Sequence, residues 1–229
     1  MVRAIVMSVV VLAYGNAVAL TDAETQSGPL AYADLILAFG LIAWLRWAGL
    51  GWNELGLHTN AERAIRDGAV GAGAGLLLAA APVAFIVIVP AFTGDSVEAQ
   101  GAADMSGAEF AYRALIAIPI ATALPEELIF RSALFGAWER QGGTTMAVVI
   151  SAVVFALWHG VISFGTISDA GVVSYPALVG LGYLFALTGL FIAGVALAWL
   201  RVRSGGVAAP VGLHWAVNAA MLFALWVSA

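Results

Sequence analysis

Long apolar runs separated by short polar stretches constrain this chain more than any other feature. A helix needs about 20 apolar residues to cross the hydrocarbon core. Seven stretches meet that need, at about 3–20, 30–50, 68–92, 110–138, 144–166, 174–200 and 207–228. In lipid every backbone N–H and C=O must be bonded within its own segment or in a closed barrel. Unbroken apolar runs of this length therefore imply helices. The composition agrees: 62% of residues are hydrophobic and 10% are charged, where soluble domains carry about 25%. The expected fold is all-α, a polytopic membrane helix bundle of about seven (six to eight) transmembrane helices with one short interfacial helix. Short loops imply a single integral-membrane domain over 1–229. Within it, 1–108 supplies N-terminal helices and 109–229 the helices that carry the chemistry. Residues 1–20, with Arg3, an apolar run and a small-residue site near Ala19, have the pattern of a signal peptide, but with several later spans a retained first helix is the expectation.

The chain has no cysteine, which excludes disulfides, thiolate nucleophiles and cysteine-ligated metal. All nine basic residues are arginine, the net charge is −5, and no basic stripe is present, which argues against nucleic acid as a partner. Arg3, then Arg46, Arg63 and Arg66, then Arg140, then Arg201 and Arg203 fall at alternate ends of the spans. The opposite loops carry Asp22, Glu24, Asp95, Glu98, Asp104 and Asp169. The positive-inside rule then places the N-terminus in the cytoplasm and the C-terminus outside. Arg113 departs from this pattern, but Glu109 lies four residues before it in the favourable order for a helical ion pair.

Several local features carry expectations of their own. Asn60 is a candidate N-cap for a short interfacial helix over Ala61–Asp67. His58 reads as a solvated juxtamembrane residue. Gly71, Gly73 and Gly75 form a small-residue face suited to close helix packing. Pro119 and Pro125 each remove a backbone donor from the fourth span and invite a kink.

Ionisable residues inside spans mark function by default. They occur in three places: Glu126, Glu127 and Arg131; His159; and His214 with Asn218. Residues four apart share a helix face, which pairs Glu127 with Arg131, Phe155 with His159, and His214 with Asn218. Glu126 is rotated about 100° from Glu127 and need not share the arginine. Each of three helices thus offers one polar stripe, and the economical arrangement is for the stripes to converge. Measured along straight helices from the cytoplasmic end, Glu126, His159 and His214 lie at about 18, 22 and 10 Å.

A carboxylate, two imidazoles and a carboxamide make a coherent chemical set. A carboxylate and a histidine can hold and deprotonate water, then return the proton to a leaving amine. A second histidine and an asparagine can donate hydrogen bonds to a developing oxyanion. Ser132 and Ser151 have no evident activating partner, so water is the expected nucleophile. These parts suit amide hydrolysis.

The motifs then resemble a family. "EELIFR" is similar to the EExxxR motif, "FALWH" to the FxxxH motif and "HWAVN" to the HxxxN motif of the CAAX-protease and bacteriocin-processing family, also called ABI. These are membrane-embedded proteases. The resemblance covers about 109–229, and Ser132 stands where members commonly have glycine. It implies an intramembrane endopeptidase in which Glu126 and His159 activate water, while His214 and Asn218 stabilise the oxyanion. Glu127 and Arg131 would then give structural support, with Phe155 completing the FxxxH motif. The substrate would be a membrane-associated peptide or protein in the lipid bilayer. Oligomeric state is unknown from sequence.

Three other readings use the same residues. Glu126, His159 and His214 form a His₂Glu set, a known catalytic zinc stoichiometry; the chain lacks HExxH spacing, so metal-free glutamate chemistry with no cofactor is favoured and Zn stays open. A non-catalytic membrane scaffold or immunity protein would keep the polar cluster for stability. A proton-coupled transporter would use Glu and His as relays, but the chain shows no inverted repeat.

Overall fold

The computed structural model describes residues 1–21, 32–57, 60–93, 104–169 and 176–228. His58 lies outside them, as do Asp22, Glu24, Asp95 and Glu98. The described residues contain seven helical runs and no strand. These are α1 (Val2–Val18), α2 (Ala33–Trp47), α3 (Ala61–Thr93), α4 (Gly107–Trp158), α5 (Gly160–Asp169), α6 (Pro176–Ser204) and α7 (Ala208–Ser228). Long stretches of α3, α4, α6 and α7 are apolar enough to cross a membrane. The chain is an all-α integral membrane protein.

The element boundaries refine the sequence reading. Asn60 Oδ1 accepts from the Arg63 amide at 2.9 Å, capping a helix as expected. The turns over Ala61–Asp67, however, are the start of α3 rather than a separate helix. The fourth and fifth expected spans are two helices that meet within α4 at Gly143, whose non-helical φ of 76° and ψ of −180° only glycine adopts readily. The fifth span then stops at Trp158 instead of continuing to 166, and His159 falls in a break before α5.

The chain divides into two compact units, neither continuous in sequence: Met1–Leu57 with Leu128–Gly206, and His58–Glu127 with Val207–Ala229. In the second unit α3 and α7 pack backbone to backbone. A Cβ at Gly71 would lie 2.0 Å from the Ala209 carbonyl oxygen, one at Gly75 2.5 Å from that of Leu213, and one at Gly212 2.0 Å from that of Gly68. Glycine four residues apart permits this approach. Gly73, also expected on the packed face, has nothing within 4 Å. It lies between the two contacting glycines, turned about 200° from Gly71 by helix geometry. The start of α4 joins the same unit. Trp215 Nε1 donates to the Ala114 carbonyl at 2.7 Å, and Phe110 stacks on Trp226 at 4.6 Å. Glu109 and Arg113 make the expected ion pair at 2.6 Å.

In the first unit α1 lies along the later part of α4. Trp138 Nε1 donates to Ser8 Oγ at 3.1 Å, and Gly15 leaves room for the Trp158 ring. The turn after α2 is tied by Arg140, which donates to Glu54 at 2.9 and 3.0 Å. Glu54 also accepts from the Gly51 amide at 2.6 Å. That amide, then Arg140, holds the Glu54 carboxyl below its ordinary pKa against a partial desolvation cost.

Candidate active site

The EExxxR segment is not an ordinary α-helix. Residues Arg113–Ala123 and Leu128–Leu134 form wide π-type turns, and the Leu124 amide donates to the carbonyl of Pro119, five residues back. Pro119 explains the first of these. It has no N–H for the α ladder, and its ring presses on the carbonyl four residues earlier, so the helix opens. The expected kink is therefore realised as widening. Such turns cluster at functional sites because they re-aim side chains.

In the second unit, Glu126 and Glu127 meet His214. His214 Nδ1 donates to Glu127 Oε1 at 2.8 Å, and Nε2 stands 3.9 Å from Glu126 Oε2. Glu127 is wholly buried, and Glu126 and His214 are 6% and 8% exposed. A bond to a carboxylate in such a site is roughly twice as strong as a neutral one. The separation of about 8 Å that straight helices give for Glu126 and His214 is absent, because the two side chains face each other directly. Asn218, one turn beyond His214, is half-buried, and its carboxamide makes no hydrogen bond with a described residue.

In the first unit, Arg131 and His159 both pack against Phe155. The wholly buried Arg131 guanidinium lies 4.4 Å from the centre of the Phe155 ring and donates to the Gly194 carbonyl at 3.2 Å. His159 packs against the same ring, tilted by 60° with centroids 4.7 Å apart. Its Nδ1 lies 2.9 Å from the Phe155 carbonyl oxygen. A carbonyl only accepts, so Nδ1 carries the proton and Nε2 is the acceptor of the neutral ring. Phe155 is thus more than a motif letter: its ring seats two motif residues and its carbonyl selects the histidine tautomer. Ser132 is also wholly buried, and its hydroxyl makes no hydrogen bond with a described residue.

A metal would need lone pairs on these rings. With Nδ1–H of His159 on the Phe155 carbonyl and Nδ1–H of His214 on Glu127, the lone pair of each neutral ring is on Nε2. Among the described residues no group of three His, Asp or Glu side chains is arranged to hold a metal ion.

Sequence reasoning missed two positions. Arg201 reads as a charge at a helix end, yet the structure buries it at 5% exposure. It donates from Nε to the Arg131 carbonyl at 3.1 Å and from NH2 to that of Glu54 at 3.1 Å. Gly56 makes room, since a Cβ there would lie 2.3 Å from Arg201 Nε. Asn16, in the last turn of apolar α1, bonds on either side of His159. A lone carboxamide in an apolar span was the available signal.

Residues 108–220 match the family model described as type II CAAX prenyl endopeptidase Rce1-like. Over this segment the chain is similar to that family. Every motif residue from Glu126 to Asn218 falls within the match. No curated protein and no solved structure matches the chain. The family is one of intramembrane endopeptidases, so the chain is a membrane-embedded hydrolase of the peptidase class.

Proposed function

We propose that this Rce1-like protein hydrolyses a peptide bond by glutamate-assisted attack of water, without a metal. The observation that carries the reading is the buried Glu126–His214 approach. The gap of 3.9 Å is too long for a direct bond and suits a bridging oxygen, of water or of substrate. Glu127 fixes the imidazole from its other side. Glu126 accepts a proton as the water oxygen bonds to the carbonyl carbon. His159, with Nε2 as acceptor, shares that role on the strength of its motif. The developing oxyanion takes hydrogen bonds from the Asn218 amide and from His214, whose Nε2 donates when the ring is an imidazolium with Nδ1–H on Glu127. The proton then passes to the leaving nitrogen as the C–N bond breaks, which gives a new carboxylate and a new amine.

The proposed substrate is a membrane-bound protein or peptide ending in a prenylated CAAX sequence, in keeping with the family description. With the N-terminus in the cytoplasm and the C-terminus outside, cleavage would occur near the cytoplasmic half of the bilayer. Comparison of new protein termini in membranes expressing wild type or Glu126→Gln at equal levels tests the reading. Specific termini are expected to vanish with Glu126→Gln, and they name the substrates. Unchanged termini with an intact host phenotype would favour a scaffold or immunity role. Stoichiometric zinc in the purified protein, lost in His159→Ala, would replace the glutamate mechanism with a metal one.

A further inference from the structure

We propose that Asn16 of α1 is the positioning residue for His159, acting as a wedge that keeps the helix open at that histidine; the inference rests on the proposed hydrolysis. Asn16 Nδ2 donates to the Leu157 carbonyl at 3.0 Å, and Asn16 Oδ1 accepts from the Val161 amide at 3.1 Å. Leu157 and Val161 are four residues apart. Their carbonyl and amide are the pair that an uninterrupted α-helix would join directly. The carboxamide stands between them and replaces that bond with two of its own. Insertion of a side chain into the helical ladder is a recognised cause of a sharp break, and the break is present: His159 has φ −86° and ψ 7° between α4 and α5.

The fit is chemically selective. A broken helix leaves a carbonyl and an N–H without their helical partners. Asn16 meets both, and its second amide hydrogen goes to the Leu12 carbonyl of its own helix at 2.9 Å. Two donors and one acceptor are used, which a carboxamide supplies and aspartate, serine or leucine does not. Neighbouring glycines bring the groups together. A Cβ at Gly15 would lie 2.3 Å from the Trp158 ring, and one at Gly160 would lie 3.5 Å from Asn16 Oδ1 and 3.2 Å from Tyr183 Oη. Loss of the wedge would let the Val161 amide bond the Leu157 carbonyl. The helix would then run through residue 159 and turn the imidazole from its place against Phe155.

The test uses the full-length protein in lipid nanodiscs. Asn16→Leu is expected to lower kcat by roughly 10- to 100-fold with KM little changed, the scale of a small misplacement of a catalytic group. Cleavage is read on a farnesylated CAAX peptide and on the termini that depend on Glu126. The thermal midpoint should hold, because the ladder closes in place of the lost bonds. Nitrogen-15 histidine NMR, with the His159 signal assigned by its absence in His159→Gln, should show one Nδ1–H tautomer in wild type and mixed tautomers in Asn16→Leu. Asn16→Ser, able to meet only part of the break, should be intermediate, and it carries the test if Asn16→Leu does not accumulate. Ser8→Ala, which removes a different polar contact of α1, should leave kcat and the spectrum unchanged. A wild-type His159 spectrum in both Asn16 variants would overturn the inference. If Glu126→Gln itself still cleaves, the proposed function fails, and the spectra judge Asn16 independently.

Discussion

The two units handle buried charge in different ways. In the second, Glu126 and Glu127 face an imidazole, a partner that can take or give a proton. In the first, Arg131 lies against a ring face and donates to a carbonyl. His159 beside it is likewise anchored to a carbonyl, so it presents one acceptor nitrogen. One EExxxR motif thus places its acids beside an imidazole in one unit and its arginine against an aromatic ring in the other. A motif is a unit of sequence, and its members need not share one physical task.

Loss of the Arg131 contacts should have the largest effect on folding. Arg131→Gln strips a wholly buried guanidinium from its ring and carbonyl contacts, and should lower stability by about 3–5 kcal/mol. Denaturant or thermal unfolding in nanodiscs, together with accumulation in membranes, measures this. A near-wild-type midpoint would show that these contacts do not stabilise the fold.

The next effect sharpens the second unit. Gly71→Ala places a methyl group 2.0 Å from the Ala209 carbonyl oxygen, whereas Gly73→Ala meets open space. The first should destabilise by about 1–3 kcal/mol, as overpacking does, and should disturb the His214 end of the cluster. The second should be neutral or slightly stabilising in a helix. Equal midpoints for the two variants would argue against close packing of α3 and α7.

The smallest effect lies outside both clusters. Glu54 has a lowered pKa, so its contribution to stability is complete above the ordinary value of 4.5 and is lost as pH falls through the lower folded value. The carboxylate is 41% exposed, so the effect is screened. Unfolding midpoints in wild type should decline in acid slightly more steeply than in Glu54→Gln, and coincident pH profiles would remove this contribution.

Much of this arrangement was legible in the sequence. Helix positions followed from apolar length, the Asn60 cap and the Glu109–Arg113 pair from local chemistry, and the approach of His214 to Glu126 and Glu127 from the expected convergence of polar stripes. The rest depended on partners distant in sequence or on altered helix geometry. Face assignments by 3.6-residue spacing could not anticipate that Pro119 opens the helix, nor that Glu127 bonds His214, 87 residues away. The break at His159 is imposed by Asn16, 141 residues before Leu157. Arg201 looked like a solvated end charge because nothing near it in sequence supplies the carbonyls it binds.

The most direct measurement is kcat on a farnesylated CAAX peptide for purified wild type, Glu126→Gln and Glu127→Gln in nanodiscs, with unfolding midpoints measured alongside. Glu126→Gln is expected to lose roughly 10²- to 10⁴-fold in kcat at an unchanged midpoint. Glu127→Gln should lose less in rate and more in stability, because it weakens the bond that holds His214. Full activity in Glu126→Gln would contradict the account, whatever the effect at Glu127.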